Sequence, residues 1–134
     1  MKPSLIPVIA LFFSVTVLAE GVNSAIQFPT GQSSITVSAS VVRGDRDRYS
    51  VVAKRGQTMT IAIRAIEDNA VFVLYAPKYR IESDDSIAGE TLPNAGEGDD
   101  VMAWTGVLPS SGRYLIAVGG TRGNASYQLT VTIR

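Results

Sequence analysis

The sequence contains no cysteine and no histidine. Without cysteine no disulfide can staple the chain, and thiol catalysis, thiolate zinc sites and iron–sulfur clusters are excluded. Without histidine the commonest general base and metal ligand is gone, and with it any Ser-His triad. No glycine-rich phosphate loop follows a strand, so nucleotide binding has no support. Excess charge of one sign is also lacking, with 12 Lys and Arg against 12 Asp and Glu. Neither nucleic acid nor an anionic membrane surface is therefore an expected partner. Two-carboxylate hydrolysis is the catalytic chemistry that this composition leaves open. For a small chain so short of catalytic groups, the expectation is a protein that is not an enzyme.

Long hydrophobic runs are scarce too. The longest extends from Leu5 to Leu18, short of the roughly 20 apolar residues that cross a bilayer, so no membrane insertion is expected. Lys2 precedes the run and Val17-Leu18-Ala19 follows it with small residues at the two positions that a signal peptidase reads. Residues 1–19 are thus expected to be a cleavable signal peptide and residues 20–134 a single domain, exported to the periplasm or secreted. Removing Lys2 with the leader tips the net charge from zero to slightly negative.

What remains is a succession of short alternating segments. Ala25–Phe28 is predicted as a first strand, ended by Pro29 and Gly31. Ser34–Ser40 alternates strictly, with Ile35, Val37 and Ala39 on one face and Ser34, Thr36 and Ser38 on the other. Arg48–Ala53 turns Tyr49, Val51 and Ala53 inward, and Lys54–Gln57 forms a hairpin with Gly56 at its positive-φ position. Thr58–Ala65 points Met59, Ile61, Ile63 and Ala65 inward. Ala70–Ala76 has no polar break, which predicts a central strand covered on both faces. Lys78–Val101 is long and rich in turn residues, with at most a short edge strand near Arg80–Glu82. Loops of that length are usually functional. Met102–Leu108 is predicted as a strand with Trp104 inward, and Ser126–Ile133 closes the chain with Tyr127, Leu129, Val131 and Ile133 inward. Seven or eight such strands without helical periodicity predict an all-β fold, an antiparallel β-sandwich of jelly-roll type, with a small barrel as the alternative.

The most informative stretch is Leu108–Gly123. Pro109 and Gly112 reverse the chain, Arg113 begins a strand that is apolar on both faces, and Gly119 and Gly120 are expected to end it, leaving Arg122 on the next turn. Arg113 and Arg122, if they project together, form a guanidinium cluster able to hold carboxylates bidentately. Tyr49 and Tyr114 have inward parity and are more readily core than contact residues. The stretch from Glu82 to Asp100 holds seven carboxylates and no cation. Asp84, Asp85, Glu97, Asp99 and Asp100 are candidate calcium ligands there, with Asp45 and Asp47 in the preceding charged turn, because calcium takes oxygen ligands from flexible carboxylates. Their spacing matches no EF-hand, and a solvated loop is the simpler account. No other cofactor is expected. Arg43-Gly44-Asp45 and Asn124-Ala125-Ser126 match an adhesion tripeptide and a glycosylation sequon, both short enough to arise by chance.

Phe28-Pro-Thr-Gly31-Gln32-Ser33-Ser34, Tyr49–Ala53 followed by Gly56-Gln57, Leu108-Pro109-Ser-Ser111-Gly112-Arg-Tyr114, Thr121-Arg122 and the closing Tyr127 strand together resemble the bacterial periplasmic inhibitors of g-type lysozyme. Gly44-Asp45-Arg-Asp47-Arg-Tyr49 also resembles the pre-peptidase C-terminal domain, a sandwich appended to secreted enzymes. The first resemblance implies a binding protein whose edge loops occlude a lysozyme cleft, with Ser111, Gly112, Arg113, Tyr114, Thr121 and Arg122, and more weakly Tyr49, as contact residues. The second implies a glycan- or calcium-binding module. An envelope protein with no small ligand is a third reading, and edge strands that pair between two copies as a homodimer are compatible with all three.

Overall fold

Alternation of apolar and polar side chains gives most strands one buried face and one exposed face, and two such sheets close on each other. The structure, a computed structural model, describes residues 21–134; the signal-peptide expectation for residues 1–19 lies outside them. The described residues form ten strands: β1 Asn23–Ala25, β2 Ser34–Val41, β3 Asp47–Ala53, β4 Thr58–Ala65, β5 Ala70–Tyr75, β6 Arg80–Ile81, β7 Ile87–Ala88, β8 Ala103–Val107, β9 Gly112–Gly120 and β10 Ala125–Ile133. Eight of them form two four-stranded sheets, ordered β1-β3-β9-β5 and β2-β10-β4-β8, while β6 and β7 pair with each other. Every pairing is antiparallel except the short parallel match of β1 with β3. The all-β sandwich is the expected one.

The core lies between the sheets. Tyr49 and Val51 from β3, Met59 and Ile61 from β4, Phe72 and Leu74 from β5, Tyr114, Ile116 and Val118 from β9, and Leu129 and Val131 from β10 are all buried in one cluster. Each such side chain contributes roughly 1.5 to 3 kcal/mol when fully buried. The other face of β9 carries Leu115 and Ala117, which with Val73 and Tyr75 make a second buried cluster under Tyr79 and Ile87. Two-sided burial of β9 and β5 thus has different covers on its two sides: the facing sheet, and the β6–β7 ribbon.

Several expectations are corrected. The first strand is Asn23–Ala25 rather than Ala25–Phe28, because the Val22 amide is pinned to Asp47 (2.8 Å) and the chain is paired with β3 before it reaches Ile26. β5 is not central but lies at the edge of its sheet. Its free side is occupied by irregular chain instead of a strand: Phe72 donates to Val101 (3.0 Å), Leu74 donates to Ala95 (2.9 Å), and Leu92 donates to Leu74 (3.0 Å). That is what the acidic segment is for in the fold, since it supplies both the missing flank of β5 and the cover over the second cluster. Gly119 and Gly120 end β9 as expected, as its last residues, paired with Val71 and Ala70. Trp104 does face inward as expected, opposite Ile61 and against the core, half-buried at the β8 edge with its indole N–H donating to the Pro93 carbonyl (2.9 Å).

Candidate functional site

Strand β9 decides where the expected contact residues stand. At roughly 3.3 Å per residue its length is about 26 Å, with Arg113 near its start and Arg122 beyond its finish. The two arginines therefore occupy opposite ends of the sandwich and do not converge. Ser111, Gly112 and Arg113 share one end, Thr121 and Arg122 the other.

At the first end three connections meet. The Arg55 amide donates to Ser111 Oγ (2.8 Å), the Gly56 amide donates to the Leu108 carbonyl (2.9 Å), and Thr58 and Arg134 exchange backbone hydrogen bonds (2.7 and 3.0 Å). Gly112 sits at φ +149°, and a Cβ there would lie 2.9 Å from Cβ of Pro77, so only glycine lets the β8–β9 turn close against the chain leaving β5. These contacts gather Lys54, Arg55, Lys78, Arg113 and Arg134 at one end of the molecule, all exposed. Among the described residues none of these five forms an ion pair; the pairs present are Arg46–Glu97, Arg48–Asp85 and Arg80–Glu82. Arg113 reaches only the Ser50 hydroxyl, at 3.4 Å. The result is a cluster of five exposed cations, none of them in an ion pair, at one end of a chain with no net charge.

The opposite end is built differently. Arg122 donates to the Glu67 carbonyl (2.6 Å), the Thr121 amide to the Asn69 carbonyl (2.9 Å), Asn69 Nδ2 to the Asn124 carbonyl (3.0 Å), and the Arg43 amide to Asn124 Oδ1 (2.7 Å). Thr121, Arg122 and the sequon residue Asn124 are thus engaged in tying three turns together. Arg46 is held by Glu97 at 3.0 Å and 3.4 Å. The Arg122 and Arg46 side chains are thus drawn onto the protein's own carbonyl and carboxylate, while Thr121 takes part through its main-chain amide.

The two tyrosines belong to the interior. Tyr114 is fully buried and its hydroxyl donates to the Ser110 carbonyl (2.6 Å), which locks the turn before β9 onto the core. Tyr49 is 3% exposed, its ring edge-on to Tyr127 with centroids 6.5 Å apart. Its hydroxyl shares a 2.6 Å hydrogen bond with that of Tyr127, which in turn donates to Asp47 Oδ2 at 2.6 Å. Asp47 is wholly buried and its other oxygen accepts the Val22 amide. This network was legible in part: Asp47 has the same inward parity as Tyr49 and Val51, and a carboxyl at an inward position signals a buried hydrogen-bonding centre.

Burial raises the phenol pKa of Tyr127 and of Tyr49, and for Tyr127 the hydrogen bond to Asp47 adds to it. Burial, followed by the negative charge of Glu97, raises that of Tyr75. Above the ordinary tyrosine pKa of about 10 the unfolded chain releases these protons while the folded chain retains them. The unfolded state then binds fewer protons, so stability that is complete below pH 10 falls as the pH rises, with Tyr127, the most strongly shifted of the three, contributing up to roughly 1.4 kcal/mol per pH unit. Urea denaturation from pH 8 to 12 should show a plateau and then a decline beginning near pH 10, with a shallower slope in Tyr127→Phe; a midpoint unchanged to pH 12 would contradict the burial of these hydroxyls.

The carboxylates considered for calcium are dispersed. Asp84 Oδ1 accepts the Ser86 hydroxyl (2.7 Å) and amide (3.1 Å), which lowers its pKa, chiefly through the hydroxyl. Asp85 lies beside Arg48, Glu97 binds Arg46, and Asp99 Oδ2 accepts the Gly96 amide (2.8 Å). Asp47 is committed to Val22 and Tyr127. Among the described residues no three acidic side chains come together as a metal would need. The residues that sequence reading passed over are the cations beside the β8–β9 turn, since nothing local in Lys54, Arg55, Lys78 or Arg134 indicates that they share an end.

No protein-family model and no curated protein sequence matches the chain. Solved structures do. The periplasmic lysozyme inhibitor of g-type lysozyme from Aeromonas hydrophila is similar at 32% identity and a TM-score of 0.64, with 87% of this chain covering 100% of that one. The corresponding inhibitor from Salmonella Typhimurium is similar at 25% identity and a TM-score of 0.60, over 85% of this chain and 99% of that one. A pre-peptidase C-terminal domain of a Bacillus anthracis collagenase shares the fold at 14% identity and a TM-score of 0.53, over 84% of this chain and 98% of that one.

Proposed function

Since the chain belongs to the family of periplasmic inhibitors of g-type lysozyme, we propose that it is itself a periplasmic inhibitor that binds a g-type lysozyme and blocks its cleft with the end of the sandwich formed by Ser111, Gly112 and Arg113. The single observation that carries this reading is the 32% identity over the whole length of the Aeromonas hydrophila inhibitor. The cluster of unpaired cations at this end supports the choice of surface. A glycosidase cleft presents carboxylates, and Arg55 and Arg113 offer guanidinium forks that match a carboxylate in plane. Hydrogen bonding of Ser111 to Arg55, and the closure of Gly112 on Pro77, hold the turn in place before binding, so little ordering cost opposes the complex. Thr121 and Arg122, at the other end, have no part in it. Tyr49 and Tyr114 act as scaffold. The chain works as a binding protein and not as a catalyst.

The test is lysis of peptidoglycan by a g-type lysozyme, with c-type and i-type enzymes as controls. Near-stoichiometric inhibition of the g-type enzyme alone is expected. Reversing both charges in Arg55→Glu/Arg113→Glu should weaken inhibition roughly 100-fold or more through lost pairing and added repulsion, with the unfolding midpoint little changed because both side chains are exposed. Arg122→Ala should inhibit as the parent does. Failure to inhibit any lysozyme would refute the function, whereas loss on Arg122→Ala with the double variant intact would move the site to the opposite end.

A further inference from the structure

A net charge of zero speaks against an anionic surface as partner only where the charges are evenly spread, and in the fold they are not. Lys54, Arg55, Lys78, Arg113 and Arg134 stand exposed at the end of the sandwich where β3, β5, β8 and β10 finish and β4 and β9 begin. Near them lie Glu90, whose carbonyl accepts the Ala76 amide (2.8 Å), and the main-chain carboxylate of Arg134. The cations outnumber these. Other carboxylates of the acidic segment are held away from this end, Glu97 by Arg46 beside Gly119 and Asp85 by Arg48 opposite Ala117. Extended strand of about 13 to 20 Å separates them from Arg113, more than a screening length of about 8 Å in physiological salt.

The same end carries apolar side chains that the fold leaves uncovered. Val52 on β3 is 62% exposed and lies opposite Arg113 on the outer face of its sheet, and Val107 on β8 is 67% exposed and lies opposite Thr58 on the outer face of the other. Positive charge joined to exposed apolar side chains is the chemistry of a surface that settles at a lipid headgroup layer. A rigid protein partner meets one side of such a convex tip, whereas a soft layer reaches both valines and the cations between them. At the opposite end Val42 and Ile66 are exposed as well, but there Arg46 and Arg122 are drawn onto Glu97 and the Glu67 carbonyl.

We infer that this end docks the protein on a bilayer rich in anionic phospholipid, with the cations at the phosphate layer and Val52 and Val107 dipping into the headgroup region. The attachment is peripheral and reversible. It needs no membrane-spanning helix, and among the described residues no helix is long and apolar enough to be one. Each Lys or Arg brought to such a surface strengthens partition roughly fivefold, and the valines add to this by leaving water. The inference does not rest on the lysozyme reading. Since both contacts use Arg55 and Arg113, a molecule held on lipid cannot hold a lysozyme at the same time.

Co-sedimentation with vesicles tests it, using protein free of residues 1–19, whose apolar run would seek lipid by itself; the sandwich described lies wholly within residues 21–134. With vesicles of equal parts phosphatidylglycerol and phosphatidylethanolamine the protein should pellet at about 50 mM salt, and with phosphatidylcholine alone it should not. Salt at about 1 M, where the screening length is about 3 Å, should release it. Lys54→Gln/Lys78→Gln should weaken partition roughly 25-fold. Val52→Ser/Val107→Ser should weaken it roughly fivefold and leave its dependence on salt unchanged. Ile66→Ser, which removes a side chain 96% exposed at the opposite end, should change nothing. A parent that stays in solution with the anionic vesicles at low salt, a double-glutamine variant that pellets as the parent does, or an Ile66→Ser loss equal to that of the valine variant, overturns the inference. Release by inorganic phosphate at an ionic strength where chloride releases none also overturns it, in favour of a discrete phosphate site, and capture by polyglutamate without binding to vesicles does so in favour of an acidic protein.

Discussion

Asp47→Ala is expected to lose about 4 kcal/mol of stability, because it strands two buried donors at about 1 to 3 kcal/mol each and leaves a void between the sheets. The Asp47 carboxyl accepts the Val22 amide with one oxygen and the Tyr127 hydroxyl with the other, and Tyr127 also bonds Tyr49. One side chain therefore joins the first described residues to β3, and β3 to β10 in the opposite sheet. Asp47→Asn keeps one acceptor and the volume, and should lose only about 1 to 2 kcal/mol. Urea denaturation with an unchanged m-value measures both; a loss under 1 kcal/mol in Asp47→Ala would show that water or a rearranged chain satisfies these donors. The same network explains Gly21, where a Cβ would fall 2.6 Å from the Arg46 carbonyl and 2.8 Å from Asp47 Oδ1. The chain entering β1 lies too close to the carboxyl for any side chain.

The second large effect is expected at Tyr114. Its ring is fully buried on the central strand and its hydroxyl holds the Ser110 carbonyl. Tyr114→Ala should cost about 3 to 5 kcal/mol, the range for emptying an aromatic site in a core. Tyr114→Phe, which keeps the ring and drops one hydrogen bond, should cost about 1 kcal/mol. If Tyr114 serves only the fold, Tyr114→Phe should match the parent in the lysis assay of the proposed function. A phenylalanine variant that is stable yet inactive would instead make the hydroxyl a contact group and reopen the assignment of this residue to the scaffold. The pair thus separates packing from recognition at a position where the resemblance alone implies recognition.

The places where sequence reading and structure part have a common cause. β5 has the uninterrupted apolar run of a central strand, yet its second neighbour is irregular chain. Periodicity reports that a strand is covered, and a loop that donates and accepts main-chain hydrogen bonds covers as well as a strand does. The acidic segment announces its charge in the sequence, while its work lies in Leu92, Ala95 and Val101, which are buried against the core. Arg113 and Arg122 are close in sequence and look like one patch; the extended strand between them puts them at opposite ends of the sandwich.

The alternation of side chains determined by itself the fold class, the inward set on β3, β4, β9 and β10 and the central position of β9, because a period of two is a local property that survives in any sheet; the turn at Gly56, expected as a hairpin, instead carries the chain from β3 in one sheet to β4 in the other, and the two strands do not pair. The motifs around Gly31, Gly112 and Tyr114 likewise resemble the inhibitor family from the sequence alone. Tertiary structure alone decided which turns share an end of the sandwich, and so which cations meet and which carboxylates are dispersed. Those are relations between residues 20 to 100 positions apart, set by strand order and register. No local pattern encodes them, since the same alternating strands could be ordered in several ways with the same faces buried.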